Sequence, residues 1–283
     1  MNREQRPRSP RPRVRRQLAR IIAYTLPWVL LAPLLFPFFW MVLTSFKTHA
    51  ESITYPPLFL FTPTFNNYVE VFRNNPFGFY LFNSLLIALG STLLAVILGA
   101  PAAYSIARHR QRGLALSILI ARMVPGIAYV VPWYIVFRLL GLLDTYLALV
   151  LTHLIVSLPI VVWLMIGFYE DIPVDLEQAA QVDGCSRFQA FLRIAVPLTR
   201  PGLVAAVIVS FIFSWNNFLF SLILAGDRTK TLPVAVFNFM TYGMIHWGGL
   251  AAAATVILTP VFILTFLIQR HIVRGLTAGA TIG

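Results

Sequence analysis

Arg122, Asn83, Asn216 and Asn217 are polar side chains set inside long apolar runs, where each must find a partner or a water-filled cavity. No Asp or Glu lies in any of those runs, so the Arg122 guanidinium has no carboxylate beside it. Its donors are left with backbone carbonyls, a companion subunit or the hydroxyls of a passing solute, unless the side chain snorkels to the nearer interface. The three asparagine amides offer donors and acceptors together, which suits a polyol better than a charged ligand, although bonds between helices would use them equally well. Tyr129, Trp133 and Tyr134 could stack on sugar rings or simply pack. His153 and His246 have no second ligand at i+3 or i+4, so no metal site is expected. No Ser or Asp set reads as nucleophile and base, so no catalytic residue is assigned. The G-x-x-x-x-G-K-[ST] phosphate cradle is missing, and Lys47 and Lys230 are the only lysines, so no ATP site or other cofactor is expected on this chain.

The elements that position these residues are long apolar helices. The chain is 58% hydrophobic and 11% charged, with a mean hydropathy of +0.77. That excludes an ordinary soluble domain. Crossing the hydrocarbon takes about 20 apolar residues. Six runs qualify, at about 21–43, 79–104, 114–140, 146–168, 201–225 and 248–270. They lack the two-residue alternation of a barrel strand, so the expected fold is an all-α membrane domain over 21–270. Prolines 27, 33, 37, 101, 125, 132, 159 and 260 interrupt five of the six runs. Sixteen arginines fall on one side: eight within residues 1–20, three at 108–112, three at 187–200 and two at 270–274. Five basic residues, Lys47, Arg73, Arg138, Arg228 and Lys230, fall on the other. Both termini are therefore expected in the cytoplasm. The net charge of +12 is concentrated in the Arg/Pro tail 1–20, which is expected to stay disordered and attract anionic lipid, not nucleic acid. The first run is too long for a signal peptide and shows no cleavage site. Cys185 is the single cysteine, so no disulfide forms within the chain.

Between the fourth and fifth runs lies a polar stretch of helical pattern, residues 176–197 within a loop 172–198. Pro173 fits a first helical position, with Asp175 and Glu177 near the positive helix end. Gly184 supplies a stop. Ser186 caps a second helix in which Phe188, Phe191, Leu192 and Ala195 recur at three-to-four spacing before Pro197. Leu176 beside Ala179 and Ala180 gives a low face on which a partner's backbone can approach closely. Asp183, Ile194 and Pro197 complete the set assigned to docking.

This stretch resembles the EAA loop of ATP-binding-cassette importer permeases: Gln178-Ala179-Ala180, then Gly184, then Ile194-Ala195-Val196-Pro197, with Gln178 where the family has Glu and Val196 where it has Leu. The strings Asn83-Ser84-Leu85, Ala102 to Arg108, Arg122-Met123-Val124-Pro125 and Trp215-Asn216-Asn217-Phe218 are similar to carbohydrate importers of the smaller maltose permease type. The resemblance implies the MetI-like fold of type I importers, with six spans in a bacterial inner membrane. It also implies a second permease subunit, two ATPase subunits carrying ATP and Mg, and an extracytoplasmic sugar-binding protein. The elbow would couple to the ATPase, and Phe239, Tyr242, His246 and Trp247 in the 226–247 loop would reach the binding protein. A secondary, ion-coupled transporter is the rival class; proton-coupled carriers commonly use intramembrane carboxylates.

Overall fold

The computed structural model describes residues 13–241 and 244–278, with side chains over 23–240 and 245–267. Residues 1–12 of the expected tail, 279–283, and Tyr242 lie outside the described residues. The helices run in the order α1 Arg13–Ser45, α2 His49–Ile53, α3 Asn66–Asn74, α4 Phe77–Arg108, α5 Arg112–Met123, α6 Gly126–Leu139 and α7 Tyr146–Glu170. Then come α8 Val174–Val182, α9 Arg187–Ala190, a π-helical turn Phe191–Ala195, α10 Val196–Leu198, α11 Arg200–Trp215, α12 Leu219–Leu224, α13 Leu232–Ala235 and α14 Trp247–Ala278. Within the last extramembrane loop, Met240–Thr241 pairs antiparallel with Met244–Ile245, a small departure from the all-helical expectation. The disordered tail expected over 1–20 is corrected at its end. Helix α1 already begins at Arg13, where Arg, Gln, Leu and Ala are all good helix formers.

Four of these helices are long and apolar enough to cross a membrane, and up to six crossings result if each of two bent pairs counts as one. The third expected run, 114–140, is not one helix. Helices α5 and α6 meet at 86°, because Pro125 has no N–H and holds Val124 extended at ψ 124°. The other bent pair is Arg187–Leu198 with Arg200–Trp215, which meet at 80° where the elbow enters the fifth run. That run, 201–225, is itself interrupted between α11 and α12. Asn216 caps the end of α11 by donating to the Ile212 carbonyl (2.9 Å), and Asn217 accepts from the Phe220 N–H (3.2 Å) to start α12. Asparagine side chains compete with the helical ladder for backbone groups, and two in succession end it.

Helices α4, α7 and α11 form the centre, with α1 packed on α14, α14 on α11 and α3, and α12 on α6 and α7. Small residues bring this centre together. Gly202 lies so close under the Phe168 ring that a Cβ there would collide with it. One buried cluster joins Ala95, Ala103, Met165, Tyr169, Phe191 and Ala195, and another joins Phe77, Trp215, Leu232 and Ala252. The Trp215 indole donates to the Ile257 carbonyl at 3.0 Å, so the polar edge of this large buried ring is satisfied.

Polar side chains also join the central helices. The His153 ring lies 2.8 Å from Ser214 Oγ and 3.4 Å from Ser221 Oγ, and Ser214 lies 2.8 Å from Ser91 Oγ. Reading only i+3 and i+4 neighbours leaves His153 isolated; its partners stand on α11 and α12, and Ser214 carries the chain on to α4.

Candidate functional site: an anchored elbow and two facing helix breaks

The elbow is built as two short helices. Pro173 is the N-cap of α8, so the helix begins one residue later than expected, and Asp175 and Glu177 occupy its first turn. Gly184 takes φ +90°, a left-handed conformation that closes α8 and lets the Cys185 N–H reach the Ala180 carbonyl at 2.9 Å. Ser186 then forms a reciprocal capping box with Gln189 at the start of α9. Ahead of Pro197, which offers no N–H to the ladder, the chain widens so that the Val196 N–H bonds the Phe191 carbonyl five residues back.

Two of the residues assigned to docking point inward, and that is a correction. Glu177 is 3% exposed. Its carboxylate accepts from Arg108 Nη2 at 2.5 Å and Nε at 2.9 Å, and from the Tyr104 hydroxyl at 2.5 Å. Phe191 is buried with its ring 4.9 Å from Tyr104. These contacts bind the elbow to the end of α4, because a buried carboxylate needs both a charge partner and hydrogen bonds. Leu176, Gln178, Ala179, Asp183, Gly184 and Phe188 are exposed, while Ala180, Ile194 and Pro197 are partly so. Val182 is exposed beside them. The outward face is thus mainly apolar and low, and the inward face is fixed. Arg108 and Tyr104 were missed as anchors because their partner lies 69 and 73 positions away in sequence.

The expected solute-path residues divide into two groups. Arg122 ends α5 at the break, where a cation is favoured by the helix dipole, and its guanidinium lies 5.4 Å from the Phe213 ring of α11. Tyr129 crosses the same break, its hydroxyl donating to the Ala121 carbonyl at 3.1 Å. Because α6 packs on α12, with Leu219 beside Gly126, the two broken helices face each other. Arg122 and Asn216 are exposed there, and Asn217 is partly exposed. Trp133 stacks on Phe137 at 5.0 Å, in a packing role. Asn83 is removed from the path. It is fully buried, donates to the Arg228 and Lys230 carbonyls at 3.1 and 2.9 Å, and accepts from the Tyr146 hydroxyl at 2.8 Å, which leaves its amide nothing to offer a solute.

In the 226–247 loop, Phe239 is also corrected. It is buried against Phe77, their rings 6.3 Å apart, whereas His246 and Trp247 are exposed. The loop is tied to the α6–α7 turn by Asp144. That carboxylate accepts from the N–H groups of Gly226 (2.8 Å), Arg228 (3.2 Å) and Thr229 (3.0 Å), and from the Thr229 hydroxyl (2.7 Å). Burial pushes the Asp144 carboxyl up, and these four hydrogen bonds outweigh it, holding the group below its ordinary value. Among the described residues no three His, Cys, Asp or Glu side chains gather as metal ligands.

Comparison with known proteins gives this geometry its setting. The bacterial transporter that imports the acidic polysaccharide alginate contains a chain that superposes with TM-score 0.76 over 93% of this chain and 99% of its own, at 18% identity. That likeness establishes the MetI-like importer fold. The sulfoquinovosyl glycerol transport system permease of Agrobacterium fabrum is 38% identical over 90% of this chain and 91% of its own length. The trehalose transport system permease of Mycobacterium tuberculosis is 40% identical over 88% and 93%, and the trehalose/maltose permease of Thermococcus litoralis is 36% identical over 88% and 92%. Residues 91–278, which include the elbow, both helix breaks and the Asp144 clamp, match the family model for these inner membrane proteins. The chain belongs to the binding-protein-dependent transport system inner membrane components.

Proposed function

We propose that this chain is one permease subunit of an ATP-driven importer of a carbohydrate, crossing a bacterial inner membrane six times with both termini in the cytoplasm. It would line half of the pathway, beside a second permease subunit, while two ATPase subunits bind ATP and Mg and an extracytoplasmic binding protein delivers the sugar. The observation that carries the reading is the elbow. It offers Leu176, Val182 and Phe188 outward, while Glu177 and Arg108 clamp it from behind to α4. A lever needs both features, a face that grips the engine and a rigid link to the helices that move. Closure of an ATPase dimer against that face would tilt α4 and, through it, the central helices, with differential affinity for ATP biasing the two conformations. Relatives that carry trehalose, maltose or sulfoquinovosyl glycerol at 36–40% identity support the carbohydrate class. Arg122 and Asn216, at the facing breaks, are the side chains assigned to hydroxyl groups of the cargo.

The test is the double substitution Leu176→Glu and Phe188→Glu. Both side chains are about half or more exposed, so the isolated permease pair should still assemble. Association with the ATPase subunits and sugar uptake should both fall by tenfold or more, as expected when charges are buried in an apolar contact worth about 1.5–3 kcal/mol per side chain. Uptake at the unsubstituted rate would refute the docking role.

A further inference from the structure

The turn between α4 and α5 encloses a cavity of about 420 Å³ with Arg110, Gln111 and Arg112 on one side and Ile106, Ile166 and Glu170 among its other walls. Arg108 lines it as well, but its charge is engaged by Glu177. Among the described residues, the guanidinium groups of Arg110 and Arg112 have no hydrogen-bond or ion-pair partner, and Glu170 stands beyond ion-pairing distance. The cavity also meets the start of α5. Gln111 supplies no side-chain cap there; the Arg112 N–H turns back to the Arg110 carbonyl at 2.8 Å, and the amides that follow it in this twelve-residue helix have no side-chain cap. Two free cations and an uncapped helix start make an anion site. Ile106, itself buried, and Ile166 lie near the ends of the membrane-length helices α4 and α7, so the same cavity has an apolar wall beside its polar one.

We propose that this cavity binds an anionic phospholipid, its phosphate held by Arg110, Arg112 and the start of α5, and its first acyl carbons lying on Ile106 and Ile166. Polar above and apolar below, the cavity has the polarity of a lipid; a free phosphate would use only the upper half. Val174, the first residue of α8, closes the wall, so the headgroup would touch the base of the elbow. Lipid charge would thereby reach the element that moves.

The full chain, purified in detergent, would be titrated with phosphatidylglycerol and, separately, phosphatidylcholine, and bound lipid counted by native mass spectrometry. Phosphatidylglycerol should be preferred, and Arg110→Gln and Arg112→Gln should each weaken its retention about fivefold. Ala115→Phe, which fills the cavity without changing charge, should weaken it too. Substituting Arg3, Arg6 and Arg8 by Gln should leave the dependence on Arg110 and Arg112 intact. Retention that follows only the tail arginines would overturn the site. Displacement of the lipid by millimolar inorganic phosphate would overturn the lipid as its occupant in favour of a soluble anion.

Discussion

Asp144 shows how one side chain can set the shape of an external loop. It holds φ +56°, a conformation that Asp and Asn tolerate better than most residues, and its carboxylate takes three backbone donors of the 226–229 segment. Asp144→Asn keeps the turn and one acceptor oxygen but removes the charge, and should destabilise the protein by about 1–3 kcal/mol at neutral pH. The carboxyl is depressed in the folded state, so its stabilisation is complete above the ordinary value of 3.8 and is lost as pH falls through the lower, folded value. Thermal melts in detergent should therefore show a constant gap between the two proteins from pH 7 to about 5 that closes in stronger acid; a gap independent of pH would remove the charge from the account. None of this was legible from sequence beyond an Asp beside a Thr, because its partners lie 82 to 85 residues on. Asn83 stays open between two roles in the sequence for the same reason. Its type is equally good for a solute and for two backbone carbonyls, and only the fold brings the carbonyls.

Local rules, by contrast, predicted much of the elbow. A glycine where a helix must end left-handed, and a serine at the start of the next helix, are signals carried by neighbouring residues, and both appear where expected at Gly184 and Ser186. Hydropathy predicted the apolar runs but not the breaks in two of them. The chain is apolar on both sides of Val124 and of Asn216, and the break is dictated by backbone hydrogen bonding. The inward turn of Glu177 was hidden as well, since its charge suggests a surface residue until Arg108 is placed beside it. Glu177→Ala should leave that partly buried guanidinium unpaired, at a cost of about 1–3 kcal/mol. In reconstituted vesicles containing the assembled complex, ATP hydrolysis should continue but lose its response to the loaded binding protein, whereas Gln178→Ala, on the exposed face, should retain most of it. Equal effects from the two changes would deny Glu177 its anchoring part.

For the whole molecule, orientation is the property on which every assignment of a partner depends. The chain carries a natural reporter in Cys185, its only cysteine, partly exposed on the elbow next to Gly184. A membrane-impermeant maleimide should label it in inside-out vesicles and leave it untouched in right-side-out ones; the reverse pattern would invert the topology and end the coupling proposal. Helix α1 is legible only at this scale. None of the 18-residue window in its Ala23–Ser45 segment is buried in the chain, although it packs along α14, so its apolar surface is left for lipid or for a neighbouring subunit. No periodicity in a single sequence could have said which.

The His153 clasp has a mechanical consequence. One imidazole reaches a serine on each side of the gap between α11 and α12, and a further serine on α4 extends the chain. The interrupted helix therefore cannot work as a free joint, for its halves are pinned to the same ring and must travel with α7 and α4 as one plate. Relative motion is left to the edge of that plate, where α14 meets α11 through apolar contacts and the Trp215 indole and carries α1 on its other side.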